Sequence, residues 1–249
     1  MRVRHIALAC IILGAIPAFP QAAQPLSKQM QWFSYSGDHA LTGRFGIHFD
    51  GGFRRLAGSA WQQVQVRPGL NVQINRTVSF GATYAYFRQH PLGLQSPSKA
   101  APEHRLHQQV TLQQALGKKL VLRHRYRLEE RFLGSAFSRA DERTWDLQYR
   151  FRYQLRTDIP LRRAKDERAL VYLAIFDEIF LRFQRGVGSA FDQNRIYTGI
   201  GYRPNKRESI EVGVFNQRFQ PAAGGRLENN VVLWVTLASS RPIREFFLR

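Results

Sequence analysis

One cysteine, Cys10, occurs in 249 residues. It lies inside an N-terminal apolar stretch, so a chain processed beyond it has none, which excludes disulfides, thiolate metal sites and cysteine nucleophiles. After Phe19 no apolar run reaches eighteen residues, so no helix of this chain can span a bilayer and any crossing falls to strands. Acidic residues are few: 18 Asp and Glu stand against 37 Lys and Arg, a formal charge of +19. Glycine-rich phosphate loops are missing. Gly199-x-Gly201 falls within an alternating stretch, where it reads as room for a neighbouring bulky side chain.

A basic excess of this size usually points to nucleic acid or an anionic membrane surface. The N-terminus redirects that reading. Arg2 and Arg4 precede the apolar run 6–19, and the small residues Ala22 and Ala23 follow, which is the layout of a secretory signal peptide over residues 1–23. For an exported chain, nucleic acid is not the expected partner.

What the sequence has in quantity is alternation. In 144–156, Trp145, Leu147, Tyr149, Phe151, Tyr153 and Leu155 share one side of an extended chain, and Asp146, Gln148, Arg150, Arg152, Gln154 and Arg156 share the other. Thirteen such residues reach about 43 Å, well beyond the usual soluble strand. The pattern recurs over 41–50, 62–74, 77–88, 103–116, 120–132, 167–184, 192–203, 209–219 and 226–238. Leu170–Phe176 is apolar on both faces and leaves the register of that strand open, including whether Asp177 or Glu178 points inward. Pro68-Gly69 predicts a bulge or kink, because proline removes a ladder donor. The charged run 157–166 reads as a connection.

Tight links at 75–76, 117–118 and 204–207 alternate with longer ones at 51–60, 89–102, 133–141, 185–191 and 220–226. Outer-membrane barrels keep short turns on the periplasmic side and long loops outside. The expectation is an all-β fold: one antiparallel transmembrane barrel of about ten strands over residues 41–238, with twelve as the alternative. Residues 24–40 form an N-terminal segment whose short strand caps or lines the barrel, and 239–249 form a tail. A soluble lipid-binding barrel would turn the same aromatic residues inward. The strand lengths, the many tyrosines and tryptophans on the apolar faces and the export signal favour the membrane orientation, in the outer membrane of a Gram-negative cell.

Several short runs carry a resemblance. Arg67-Pro68-Gly69-Leu70, Tyr84-Ala85-Tyr86-Phe87-Arg88, Glu103-His104-Arg105-Leu106, 127–132, Asp177-Glu178-Ile179-Phe180, Phe191-Asp192-Gln193-Asn194-Arg195 and Asn216-Gln217 occur in this order. Together the chain resembles the bacterial family labelled domain of unknown function 2490 over essentially all of 29–238. The resemblance implies an outer-membrane barrel and brings no established activity. Such barrels commonly finish on a strand with a terminal aromatic residue, and here the chain runs on to Arg-Glu-Phe-Phe-Leu-Arg.

In this register arginines line the lumen. Arg67, Arg105, Arg123, Arg125, Arg127, Arg150, Arg152 and Arg195 are the candidate anion-contacting residues, with Arg44, Arg131, Arg156 and Arg203 on the same faces. Facing acids are Asp50, Glu129, Asp146, Glu211 and Glu228, plus one of Asp177 and Glu178, which leaves the interior positive. The lumen is then either a narrow anion-preferring pore or a filled structural barrel, the usual state of small barrels. Glu178, Asp192, Asn194, Asn216 and Gln217 form a candidate polar cluster at the outer mouth. Expected partners are outer-membrane lipids, small anionic solutes and the barrel-assembly machinery. No cofactor or metal is expected: His104 and His107 point to opposite faces. Catalysis is not expected either. A lipid hydrolase, the alternative, needs a Ser–His pair on the outer surface, and His124 has no serine obviously beside it.

Overall fold

The computed structural model describes residues 27–57, 61–90, 101–117, 120–135, 144–183, 189–221 and 226–246. The expected signal peptide and most of the long connections lie outside them. Eleven strands follow in chain order: β1 (Gln29–Ala40), β2 (Phe45–Leu56), β3 (Trp61–Gln73), β4 (Val78–Gln89), β5 (Ala101–Leu116), β6 (Leu120–Gly134), β7 (Trp145–Arg163), β8 (Ala169–Phe183), β9 (Phe191–Tyr202), β10 (Glu208–Phe219) and β11 (Glu228–Ser239). Helix among the described residues is confined to one 3-10 turn, Ile243–Phe246.

Each strand pairs antiparallel with the next, and β1 returns to β11 in parallel, closing a barrel. The ten strands expected over 41–238 are β2 to β11. The eleventh is the N-terminal segment, which stands in the wall instead of capping or lining it. An odd number of strands in an otherwise antiparallel ring requires one parallel pair, and it falls where chain start and chain end meet. Gly-Asp is a residue pair common in turns, yet β1 runs straight through Gly37-Asp38. A Cβ at Gly37 would lie 2.3 Å from His39 Nε2, so glycine here serves close packing within a strand.

Three further expectations change. β2 runs on through Leu56, so 51–56 is wall and the 51–60 link is shorter than expected. β7 continues through 157–163, so that run is wall and not connection. At Pro68-Gly69 the register to β2 and β4 is unbroken; only the ladder to β4 lapses at Arg67 and Pro68. Gly69 fits there because an added Cβ would sit 2.5 Å from the Ala82 carbonyl oxygen. The register shifts occur at Arg54/Arg55, around Arg162 and at Phe180/Leu181.

Alternation decides which side chains meet. On β9, Arg195 is 8% exposed and its neighbour Ile196 60%. Outward faces carry Leu70, Tyr84, Leu106, Leu128, Tyr149, Val214 and Leu233, all exposed. The packed core is inside the ring: Met30, Trp32, Tyr172, Ala174, Phe176, Tyr197, Phe215 and Val232 from β1 and β8–β11. This explains the doubly apolar 170–176, whose inner face belongs to that aromatic wall. Gly199, Gly201 and Gly213 make room for it, as a Cβ at Gly201 would lie 2.0 Å from Tyr172 Cζ and one at Gly199 2.2 Å from the Tyr197 hydroxyl. The reading of Gly199-x-Gly201 as space for bulky neighbours holds.

Candidate functional site

Opposite the aromatic wall, β5 to β7 turn charged side chains into the bore. Hydrogen-bonded register sets four arginine pairs face to face: Arg105 with Arg131, Arg123 with Arg156, Arg127 with Arg152, and Arg150 with Arg182. Like charges opposed across a ladder repel, and each pair is held by a carboxylate between its members. Glu103 accepts from Arg105 Nε at 2.6 Å and Arg131 Nε at 2.7 Å. Asp192 accepts from Arg150 Nη1 at 2.8 Å and Arg182 Nη2 at 2.7 Å. Asp158 lies 2.6 Å from Arg123 Nη2 and accepts from Arg156 Nε at 3.0 Å. Glu129 accepts from Arg152 Nη1 at 2.7 Å and Arg150 Nε at 2.8 Å, with Arg127 Nη1 at 3.9 Å.

Other bonds link β6 and β7 to strands further round the ring and to the next strand, β8. Arg125 on β6 and Arg152 on β7 both donate to Glu178 on β8, at 2.8 and 2.7 Å. Arg156 on β7 reaches Glu211 on β10 at 2.6 Å, and that carboxylate also accepts from the Tyr172 and Tyr197 hydroxyls at 2.9 and 2.8 Å. Arg203 reaches Asp158 at 2.8 Å and lies over the Tyr172 ring. Charge-assisted bonds of this kind are the strong ones, and their removal one partner at a time is costly in a buried setting.

The predicted lumen residues therefore do face inward, with differing company. Arg67 pairs with Asp50 at 2.5 Å. Arg127 donates to Gln109 Oε1 at 3.1 and 2.7 Å. Among the described residues Arg195 bonds only Gln193 Oε1, at 3.3 Å; it stands across from Glu178 in the β8–β9 register and lies over the rings of Phe180, Trp32 and Phe215. Arg44 stands in the exposed turn before β2, and Asp146 is exposed near the start of β7. Of the Asp177-Glu178 pair, Glu178 points inward and Asp177 outward.

The mouth cluster divides between the two faces. Glu178, Asp192 and Gln217 are buried in the bore. Asn194 bonds Asp177 Oδ1 and the Glu178 carbonyl on the other side of the wall, and Asn216 lies on the exposed face of β10. Parity separates Asn216 from Gln217, and the register shift at Phe180/Leu181 separates Asp192 from Asn194, which are two apart.

Alternation alone could have found two of the clamping acids. Glu103 precedes Arg105 by two and Asp158 follows Arg156 by two, on the same faces. Asp192 was hidden by the register shift opposite Phe180/Leu181, which lets Asp192 and Gln193 both point inward. Arg54 and Arg182 also line the interior without having been expected there. The interior is still cation-rich, with less excess than the sequence suggested.

A cavity of about 1320 Å³ remains within the ring. Lys28, Gln62, Gln89 and Pro221 line it at the end where the long loops emerge, and Thr42, Arg44, Gln73 and Arg203 at the end of the tight turns, so it extends through the barrel. Among the described residues no group of three or more His, Cys, Asp or Glu side chains is placed to hold a metal ion. His107 is buried in the bore, and His104 lies on the outer side among Tyr84, Tyr86 and Trp145. His124 bonds the Tyr153 hydroxyl at 2.9 Å and Gln114 Oε1 at 3.2 Å.

Fold and interior define a closed, eleven-stranded β-barrel with an apolar exterior and a cationic, partly filled bore. The profile of the family described as "Protein of unknown function (DUF2490)" matches residues 30–228, from β1 to the first residue of β11. The chain belongs to that family, as its short motifs suggested. No curated protein matches it.

Proposed function

We propose that the protein is an outer-membrane β-barrel, exported by its N-terminal signal peptide, that acts as a narrow anion-preferring pore. The observation that carries this reading is the end-to-end cavity with arginines on its wall. The outward faces support the location, since exposed Leu, Val, Ile, Phe, Tyr or Trp side chains on every strand from β2 to β11 suit a lipid surface with aromatic residues near its borders. Twelve-residue strands tilted by about 40° give a wall about 30 Å tall, so the cavity averages roughly 40 Å² in section. That suits small hydrated anions and simple carboxylates. Guanidinium forks match such groups and repel cations.

The bonds from β6 and β7 to β8, β9 and β10 favour a second reading, a structural barrel whose network closes the bore. A lipid hydrolase has less support, because the partners of the outward His124 are a tyrosine and a glutamine and not a serine. Purified protein in planar bilayers under a potassium chloride gradient tests the pore. Discrete steps with a reversal potential on the anion side are expected. A silent bilayer returns the structural barrel, and cation selectivity overturns the proposal.

A further inference from the structure

Every arginine on the inner face of a described strand lies within 4 Å of a carboxylate except two, Arg54 and Arg195. Both sit against one indole. The Arg54 guanidinium is 3.7 Å from the Trp32 ring centroid and that of Arg195 4.9 Å, so at most about 9 Å separates the two cations. Elsewhere in this bore an acid stands between neighbouring arginines. Here, among the described residues, the hydrogen-bond partners are amides, Gln65 for Arg54 at 3.3 Å and Gln193 for Arg195 at 3.3 Å, and Glu178, across from Arg195 on β8, is engaged by Arg125 and Arg152 instead.

Three polar atoms around this pair are buried without a protein partner among the described residues: Arg195 Nε, Trp32 Nε1 and Gln63 Oε1. Their side chains are all more than nine-tenths buried, and all three residues line the cavity. Gln63 is the register partner of Arg54 across β2 and β3, as Arg54 is of Trp32 across β1 and β2. Two cations, two unused N–H donors and one unused acceptor therefore belong to residues that border this part of the cavity around Trp32. An unsatisfied buried polar atom is costly, and three at one place ask for a ligand with both acceptors and a donor.

We propose that Arg54, Arg195, Trp32 and Gln63 form an oxyanion site in the loop-side half of the bore, fitted to a phosphate group that keeps one protonated oxygen. Its charged oxygens take the two guanidinium groups and the indole N–H, and its P–OH donates to Gln63 Oε1. Sulfate and acetate at neutral pH offer acceptors and no donor, and chloride offers neither shape nor donor. The site deepens the anion-preferring reading of the same bore, yet binding can be measured without conduction.

The test uses the full folded protein in detergent micelles, with inorganic phosphate as the probe and chloride at matched ionic strength as the reference. Calorimetry and thermal unfolding are expected to show saturable phosphate binding, with sulfate and acetate several-fold weaker. Arg54→Gln and Arg195→Gln are each expected to weaken phosphate binding by about tenfold or more. Arg54→Gln should fold as well as the parent or better in the absence of phosphate, because it removes a cation that has no acid beside it, and Arg195→Gln should still fold because Glu178, across from it on β8, keeps Arg125 and Arg152. Trp32→Phe keeps the ring under the guanidinium groups and is expected to lose affinity by a smaller factor, while Gln63→Met should erase the preference for phosphate over sulfate. No phosphate signal above chloride overturns the site, as does parental binding in Arg54→Gln and Arg195→Gln. A silent bilayer with intact phosphate binding removes the pore and leaves the site; conduction without phosphate binding does the reverse.

Discussion

Glu129 shows how single residues hold this interior together. It is fully buried, lies between β5 and β7, and takes bonds from Arg150 and Arg152 while Arg127 and His107 approach to 3.9 and 3.7 Å. Glu129→Gln leaves those cations facing one another with an amide between them. Breaking a buried charge group from one side costs about 3–5 kcal/mol. Denaturant unfolding of the refolded barrel should show a loss of that order, whereas Arg54→Gln should show none. Gly201→Ala tests packing on the other wall. Its methyl would press on the Tyr172 ring, which is fixed by Glu211 and Arg203, and overpacking of this kind costs about 1–3 kcal/mol. The same unfolding assay reads it. At this scale the sequence revealed the arginines well and their partners poorly. Parity placed Arg150 and Arg152 inside, but which acid reaches which arginine depends on register and on one displaced residue at Asp192.

At the scale of the strands, β2 to β11 were legible because long alternating runs have one physical explanation. β1 was not, for two reasons. Its inner face changes from Met30 and Trp32 to Ser34, Ser36 and Asp38, so no single polarity marks either side, and Gly37 imitates a turn. Its pairing with β11 is also parallel, which no hairpin announces. Phe33 and Val235 are register partners across that pair. A Phe33→Cys, Val235→Cys double variant, with Cys10 replaced by serine so that no other cysteine is present, should form a disulfide on mild oxidation. Electrophoresis of the unheated and boiled protein would show the cross-linked form as a species of altered mobility. Failure of that pair to oxidise while an antiparallel control such as Val212→Cys, Val235→Cys does so would mean that β1 is not in the wall.

For the whole molecule, the division between an apolar outside and a charged inside is what strand parity predicted, and it makes the membrane placement testable by one substitution. Val214 is exposed near the middle of β10. If lipid surrounds it, Val214→Arg should destabilise the barrel in bilayers by about 2–4 kcal/mol, the range for a cation at the midplane. Equilibrium unfolding from phospholipid vesicles measures this. A change near zero would mean that water, and not hydrocarbon, bathes that face.

The parallel seam bears on how the ring comes into being. Every other neighbouring pair of strands follows directly along the chain, but Lys28 and Asn230, which bond beside the seam, are 202 positions apart. Bringing such distant segments together carries the largest entropy of any contact in the wall, and contacts of long sequence separation form late. Until then β1 and β11 are both open edges, able to accept a foreign strand. The slowest stage of assembly is thus the zipping of these two borders, and a strand-like peptide matching either one would trap the molecule as an unclosed sheet.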